Sequence, residues 1–356
     1  MAKKAMIAMS GGVDSSVAAY LMQKAGYDCV GVTMKLFDIN DTCKNREKAC
    51  SAGENEKDAK SVADRLGIPY KVIDLQEDFE KEVIDPFVNA YLCGMTPNPC
   101  VECNRRLKFR RLYDKGRELG CDLIVTGHYA RVTEDAEGFH LLKGRDPGKD
   151  QSYVLYALTP EQLSHTCFPL GDYSKEEIRR IAAEQGFINA DRPESQDICF
   201  IPDGDYRAFI ETRTGKACGP GDFVNTRGEV VGTHKGYYAY TIGQRRGLGI
   251  SAPAPYYVTE ILPEENIVRL GSNEDLFHSD LIADGFNWIE KVEPDEPVRA
   301  RIRYHQKETE ARASILEDGR VAVHFLSPVR AITAGQSVVL YKDDHVAGGG
   351  TIVSVG

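Results

Sequence analysis

Ala5-Met6-Ile7-Ala8-Met9-Ser10-Gly11-Gly12-Val13-Asp14-Ser15-Ser16 is the stretch that decides the fold. A short apolar run stops at two adjacent glycines, and a helix-like stretch from Ser15 to Ala25 follows at once. Paired glycines let a backbone approach a ligand closely, and the turn offers amide N–H groups and hydroxyls. The amino terminus of the following helix adds a potential that favours anions. Local chemistry therefore allows two readings, a phosphate-binding turn or a plain polar turn between strand and helix. It is not a Walker loop, because no Gly-Lys-Ser/Thr follows, and it is not a G-x-G-x-x-G dinucleotide loop.

Outward from this turn the same alternation repeats. Gly26 closes the first helix and Cys29–Thr33 reads as a strand. Glu54–Leu66 is helical, Gly67 and Pro69 interrupt it, and Tyr70–Ile73 is again a strand. A helical run over Asn104–Leu119 leads to the strand Leu123–Thr126. Near-continuous apolar strands separated by helices predict an α/β fold with a parallel sheet covered on both faces. Ser174-Lys175-Glu176-Glu177 has capping-box spacing and opens a further helix that ends near Gly186. Past residue 204, glycine and proline become frequent and helical periodicity disappears. After residue 276 short alternating segments dominate, such as Val298–His305 and Val321–Phe325. The expected units are a catalytic domain at 1–203, a small central module at 204–276 and a carboxy-terminal β-barrel at 277–356.

Composition narrows the function. The 356 residues are 42% hydrophobic and 28% charged, which suits a protein able to bury a core. No apolar run approaches a membrane span, and the first twelve residues lack a secretory core, so a cytoplasmic protein with no membrane partner is expected. In that reducing compartment ten cysteines are not a disulfide framework; some should be catalytic, redox or metal-binding. A net charge of −10 means that any nucleic-acid contact must come from local basic patches. One such patch holds Arg105, Arg106, Lys108, Arg110, Arg111, Lys115 and Arg117 against the single acid Asp114. Arg299, Arg301 and Arg303 form a second stripe, and Gln244–Gly247 adds charge in the central module.

Thr96-Pro97-Asn98-Pro99-Cys100-Val101-Glu102-Cys103-Asn104 carries the reactive thiols. The prolines hold the approach rigid and a helix is expected to begin close to Cys103. The helix dipole and the basic run should then lower the Cys103 thiol, making it a nucleophile. C-x-x-C could also be half of a zinc site, but no second pair completes four ligands. Cys199, between Ile198 and Phe200, reads by itself as a core cysteine.

The Ser10–Ser15 loop resembles the pyrophosphatase loop of enzymes that split ATP between its α and β phosphates, a superfamily with an adenine-nucleotide α-hydrolase-like, Rossmann-like domain. The loop occurs here in order with Asn98-Pro99-x-x-x-Cys103-Asn104, Gly127-His128-Tyr129-Ala130-Arg131, Lys149-Asp150-Gln151-Ser152-Tyr153 and Ile198-Cys199-Phe200. Together these motifs resemble the bacterial tRNA-specific 2-thiouridylase family over essentially the whole chain.

The resemblance implies ATP-dependent 2-thiolation of the tRNA wobble uridine, with ATP and Mg2+ as cofactors and a persulfide relay protein as sulfur donor. It assigns ATP binding to Ala8, Met9, Ser10, Gly11, Gly12, Val13, Asp14, Ser15, Met34 and Gly127, with Asp14 helping to place Mg2+. It makes Cys103 the nucleophile, Cys199 the persulfide carrier, and the pair a transient disulfide. It assigns tRNA contacts to Asn98, Pro99, Cys100, His128, Lys149, Asp150, Gln151, Arg303, Tyr304 and Gln336. One departure is Cys100, which stands where some members carry an aspartate. It is a possible auxiliary acid or base, or with Cys103 and Cys199 a ligand of an iron–sulfur cluster. A small-molecule adenylating synthetase of the same superfamily and a non-catalytic RNA-binding or sulfur-carrier protein are the rival functions. The first leaves the cysteines unused and the second leaves the loop unexplained.

Overall fold

A computed structural model describes residues 2–37, 46–192, 198–294 and 296–356, the side chains of 46–53 excepted. Ser195–Asp197, which precede Cys199 in its motif, lie outside these described residues. The first unit is a five-stranded parallel sheet in the order Tyr70–Asp74, Asp28–Lys35, Lys4–Ala8, Leu123–Val125, Thr166–Cys167. Lys4–Ala8 is central and apolar on both faces because both are covered. Met6 joins one core cluster, and Ala5 and Ile7 the other. The strand order reverses beside Lys4–Ala8, and α/β sheets bind ligands at such a switch point, outside the strand ends. The two chain segments leaving that point are Met9–Gly12 and Thr126–His128.

Val13–Lys24 forms the helix after the loop and turns out at Gly26, whose φ of 88° suits a glycine. Lys175–Glu184 is capped by Ser174, with both bonds of the capping box present, as its spacing predicts. Beyond residue 204 the expectation of lost helicity is corrected, since Tyr206–Thr214 is a helix. Asp205 accepts from the Ala208 N–H at its start, and Gly215 in the left-handed conformation ends it. A four-stranded sheet follows, built from Tyr257–Leu262, Ile267–Gly271, Gly221–Asn225 and Val230–His234.

The carboxy-terminal strands run Phe277–Trp288, Val321–Arg330, Thr309–Ile315, Val298–Arg301, Ser337–Lys342, His345–Val355. The last pairs back onto the first and closes a six-stranded barrel. The hairpin Ala130–Asp135/Gly138–Lys143, from the first unit in sequence, extends the same sheet through the pairing of His345 with Leu142. Among the described residues, no helix is long and apolar enough to cross a membrane.

Candidate functional site

The Ser10–Ser16 turn is held from several sides. The Ser15 hydroxyl accepts from the Ser10 N–H at 3.1 Å and donates to the Gly12 carbonyl at 3.0 Å. Asn189 Nδ2 donates to the Gly11 carbonyl at 2.8 Å and to Ser16 Oγ at 2.9 Å. Gly11 has φ 79°, and a Cβ there would strike the Asn55 carbonyl oxygen at 2.2 Å. Gly12 is the N-cap and brings no side-chain acceptor, so the first-turn N–H groups lack the usual cap. That is an anion cradle made of backbone.

Above the cradle lies a cavity of about 760 Å³, within the range of small-molecule sites. Ala8, Met9, Ser10, Asp14, Ser15, Met34 and Gly127 border it. Gly11, Gly12 and Val13 are not in its lining: the glycines have only backbone to offer, and the Val13 side chain is buried in the core. Gly127 packs against the loop, and a Cβ there would come within 2.8 Å of the Asp14 carbonyl carbon and the Ser15 nitrogen. Both are backbone atoms, so Gly127→Ala should push the cradle out of shape. We expect KM for ATP to rise about tenfold or more, at a stability cost of about 1–3 kcal/mol. Thiol reactivity in the same cavity should be unchanged, as thiol titration alongside ATP kinetics would show.

Cys100, Cys103 and Cys199 border the same cavity, as do His128 and Gln151. The helix that carries Cys100 and Cys103 begins earlier than expected. Asn98 is its N-cap, accepting from the Cys100 N–H, and Pro99 opens it. Pro99–Glu102 continues into Cys103–Leu112, wound as a π-helix, a form frequent at functional sites. Cys100 thus lies in the first turn and Cys103 beyond it, where the dipole has weakened.

The expected acidic Cys103 is corrected too. Burial pushes the Cys103 thiol up, with Lys108 pulling the other way, and Cys100 is raised for the same reason. Cys199 is open to solvent yet crowded by protein, and its thiol is pushed up to about 12, chiefly by desolvation. Lys108 is half-buried and donates to Asn104 Oδ1 at 2.9 Å, while Asn104 donates to the Val154 carbonyl. Lys108→Met should therefore slow thiol-dependent steps at neutral pH by about tenfold. Alkylation rates of Cys103 against pH provide the check.

The basic run is largely neutralised. Arg105 and Arg106 pair with Glu102, Arg106 also with Glu82, Arg111 with Asp78, and Lys115 with Glu118. Arg105, Arg106 and Arg110 still border a second groove of about 730 Å³. The expected stripe on the barrel does not form. Arg301 is paired with Asp150 and Glu308, and Arg303 lies past the strand end. Arg303 donates to the Ile242 and Ala331 carbonyls and to Thr333 Oγ1, tying the barrel to the central unit. Asp150 is buried and accepts from Gly144, Ser152 and Arg301. Its side chain is a structural hub, which leaves its backbone for the RNA contact expected of it.

Gln336 donates to the Thr96 carbonyl at 2.8 Å and fixes the segment ahead of the cysteines on the barrel. Tyr304 is half-buried against Tyr153 and bonded to Gln151, which accepts from the Tyr129 N–H. Lys149 is half-buried, outside the cavity lining. His128 meets Thr126 Oγ1 at 2.6 Å, and burial holds its ring well below the usual range, as a neutral imidazole.

Lys175 was legible only as the residue after a cap. Its Nζ reaches both Asp14 oxygens at 2.8 Å, and the Tyr129 hydroxyl donates to Asp14 at 2.7 Å. With its carboxylate already engaged by the Lys175 ammonium and the Tyr129 hydroxyl, Asp14 does not fit a protein-held magnesium site. The sulfurs of Cys100, Cys103 and Cys199 do not form a group within 4.8 Å of one another, so they are not arranged around a single metal ion. They remain donors of the kind a cluster uses.

Residues 3–203 match the family described as tRNA methyl transferase HUP domain. Residues 207–272 match its PRC-barrel domain, and 278–352 the aminomethyltransferase β-barrel domain. The chain is 47% identical over 356 residues to tRNA-specific 2-thiouridylase MnmA of Clostridioides difficile, covering 99% of this chain and 98% of that one. It is 49% identical over 354 residues to tRNA-specific 2-thiouridylase MnmA 1 of Caldanaerobacter subterraneus, covering 98% and 97%. The fold is that of a nucleotide-loop α/β enzyme with a central module and a barrel. The chain belongs to the tRNA-specific 2-thiouridylase family.

Proposed function

We propose that this chain is a tRNA-uridine 2-sulfurtransferase that uses Mg-ATP and a cysteine persulfide to thiolate the wobble uridine. One observation carries the reading: an anion cradle and three cysteines border a single cavity. The small-molecule synthetase leaves those thiols idle, and the RNA-binding or carrier protein leaves the cradle idle.

In this reading ATP lies with its β and γ phosphates on the Ser10–Ser15 amides, and the uracil 2-oxygen attacks the α phosphorus. Pyrophosphate leaves, and the oxygen becomes part of a good leaving group. A partner donor loads Cys199 as a persulfide. Its terminal sulfur attacks C2 and expels AMP, giving a Cys199–S–S–C2 adduct. The Cys103 thiolate then attacks Cys199 Sγ, forming a Cys103–Cys199 disulfide and releasing the electron pair to the sulfur on C2. Two thiols are oxidised as the transferred sulfur is reduced, so an external reductant must reset the pair. Cys100 sits beside both as a proton-exchanging group. The target base reaches the cavity only when splayed from its loop, with Asn98–Cys100, His128 and Gln151 nearest to it. Lys149, Tyr304, Gln336 and the Arg110 groove lie further out along the RNA path. Units 1–203, 204–276 and 277–356 divide catalysis, linkage and RNA docking.

The test is nucleoside mass spectrometry of tRNA after incubation with protein, Mg-ATP and a persulfide donor, with and without air and iron. 2-Thiouridine formed in air without iron supports the persulfide route. Thiolation only with anaerobically supplied iron replaces it with a cluster. Pyrophosphate release without RNA, and no thiolated base, returns the small-molecule synthetase.

A further inference from the structure

We propose that His140, Glu290 and His345 form a binding site for a divalent transition-metal ion, zinc above all, at the joint between the first unit and the barrel. The site lies apart from the nucleotide cavity, which none of the three borders. His140 comes from the hairpin strand Gly138–Lys143, Glu290 from the segment after Phe277–Trp288, and His345 opens the strand His345–Val355. Their ligand atoms all lie within 4.8 Å of one another, the only such group among the described residues.

The geometry is that of ligands facing a common point. Glu290 Oε1 is met by His140 Nδ1 at 2.7 Å and by His345 Nδ1 at 2.6 Å, with the two rings 5.6 Å apart. Asp135 Oδ1 lies 2.9 Å from His140 Nε2. A carboxylate on the far nitrogen of a histidine is the partner that fixes the tautomer of a metal-bound imidazole. A metal would displace the proton that Nδ1 shares with Glu290, and Asp135 would hold the remaining proton on Nε2. Two imidazoles, one carboxylate and one water make a tetrahedral zinc set. The charges balance as well, since a dication meets Glu290 and Asp135. The neighbouring lysines are engaged elsewhere, Lys143 with Glu308 and Lys342 with Glu296. Side-chain exposure grades from 9% at His140 through 16% at Glu290 to 39% at His345, so the fourth position opens to water.

The location gives the ion a task. The hairpin shares one ladder pair with the barrel, His345 with Leu142, backed by Lys143 N–H to the Asp344 carbonyl and by Lys143 with Glu308 and Arg131 with Asp344. A metal bridging His140 to His345 and Glu290 would lock that joint, and with it the chain leading on to Gln151 at the cavity.

Zinc titration of the chelator-stripped full-length protein against a chromophoric chelator tests this, in a Cys100→Ser/Cys103→Ser/Cys199→Ser background that removes the cavity thiols. One equivalent should bind and raise the melting temperature. That equivalent should be lost in His345→Gln and in Glu290→Gln, and Asp135→Asn should weaken it by about 10–100-fold. Bound cobalt should show tetrahedral visible bands without sulfur charge transfer. Zinc stoichiometry unchanged in the His345→Gln/Glu290→Gln double variant, sulfur charge transfer in the cobalt spectrum, or no binding by the parent would each overturn the site. His345 is partly exposed, and equal melting of the metal-free variants shows that they fold.

Discussion

Cys199→Ser should abolish 2-thiouridine formation, by about 10³-fold or more, while pyrophosphate release with tRNA and ATP should stay near the parental rate. A hydroxyl cannot hold a sulfane sulfur, but it fills nearly the same space in a residue open to the cavity. The cradle that holds the departing pyrophosphate in the proposed reaction is built from other segments, Ser10–Ser15 backed by Asn189, so adenylation should not feel the change. Equal loss of both activities would sink the division of labour. Cys103→Ser should differ in kind: the Cys199–S–S–C2 adduct forms and cannot resolve, and a protein–RNA conjugate should be visible by mass spectrometry and cleaved by added thiol. The sign of the pH dependence follows from burial. With Cys103 raised by desolvation, its thiolate is a minor species at neutral pH. The single-turnover resolution rate should therefore climb about tenfold per pH unit until the Cys103 thiol titrates. A flat profile from neutral to alkaline pH would remove Cys103 from that step.

What the sequence disclosed and what it concealed divide along the range of the interactions. The first strand is legible in Ala5–Met9 because a strand buried on both faces must be apolar, and Ser174 because a capping box is complete within four residues. The helix Tyr206–Thr214 was missed because frequent glycine and proline to its carboxy-terminal side dominate the local composition. Its single buried residue, Ile210, leaves little periodicity to read. That the hairpin 130–143 belongs to the barrel sheet depends on a pairing between Leu142 and His345, some two hundred residues apart. The acidity of Cys103 was misjudged for a related reason. Neighbouring arginines are visible in the sequence, but Glu82 and Asp78, which neutralise Arg106 and Arg111, come from a preceding segment. The desolvation that outweighs Lys108 comes from packing. Arg303 shows the same limit: a basic residue in an alternating segment reads as a surface cation until its carbonyl partners are known.

Asp14→Ala should abolish pyrophosphate release and thiolation together, each by about 10²–10³-fold, because adenylation precedes sulfur transfer in the proposed reaction. The pair it breaks is the tightest electrostatic feature of the loop. Lys175 has 11% of its side chain exposed and Asp14 30%, and the ammonium reaches both carboxylate oxygens. Removing the carboxylate leaves Lys175 buried without it, a change that costs about 3 kcal/mol when such a pair is well buried. It also frees the Tyr129 hydroxyl from its acceptor. Asp14 and Lys175 sit at the mouth of the loop as a neutral pair. The attraction for phosphate then rests on the open N–H groups of the Val13–Lys24 helix, aimed while Asp14 stays tethered. Loss of stability and loss of chemistry can be separated. Asp14→Leu/Lys175→Met removes both charges, so it should recover much of the melting temperature lost in Asp14→Ala without recovering either activity. Persulfide loading of Cys199 by a donor needs no nucleotide and should proceed in both variants. Parental pyrophosphate release from a folded Asp14→Ala protein would show that the cradle does not depend on this tether and that the loop has been misassigned.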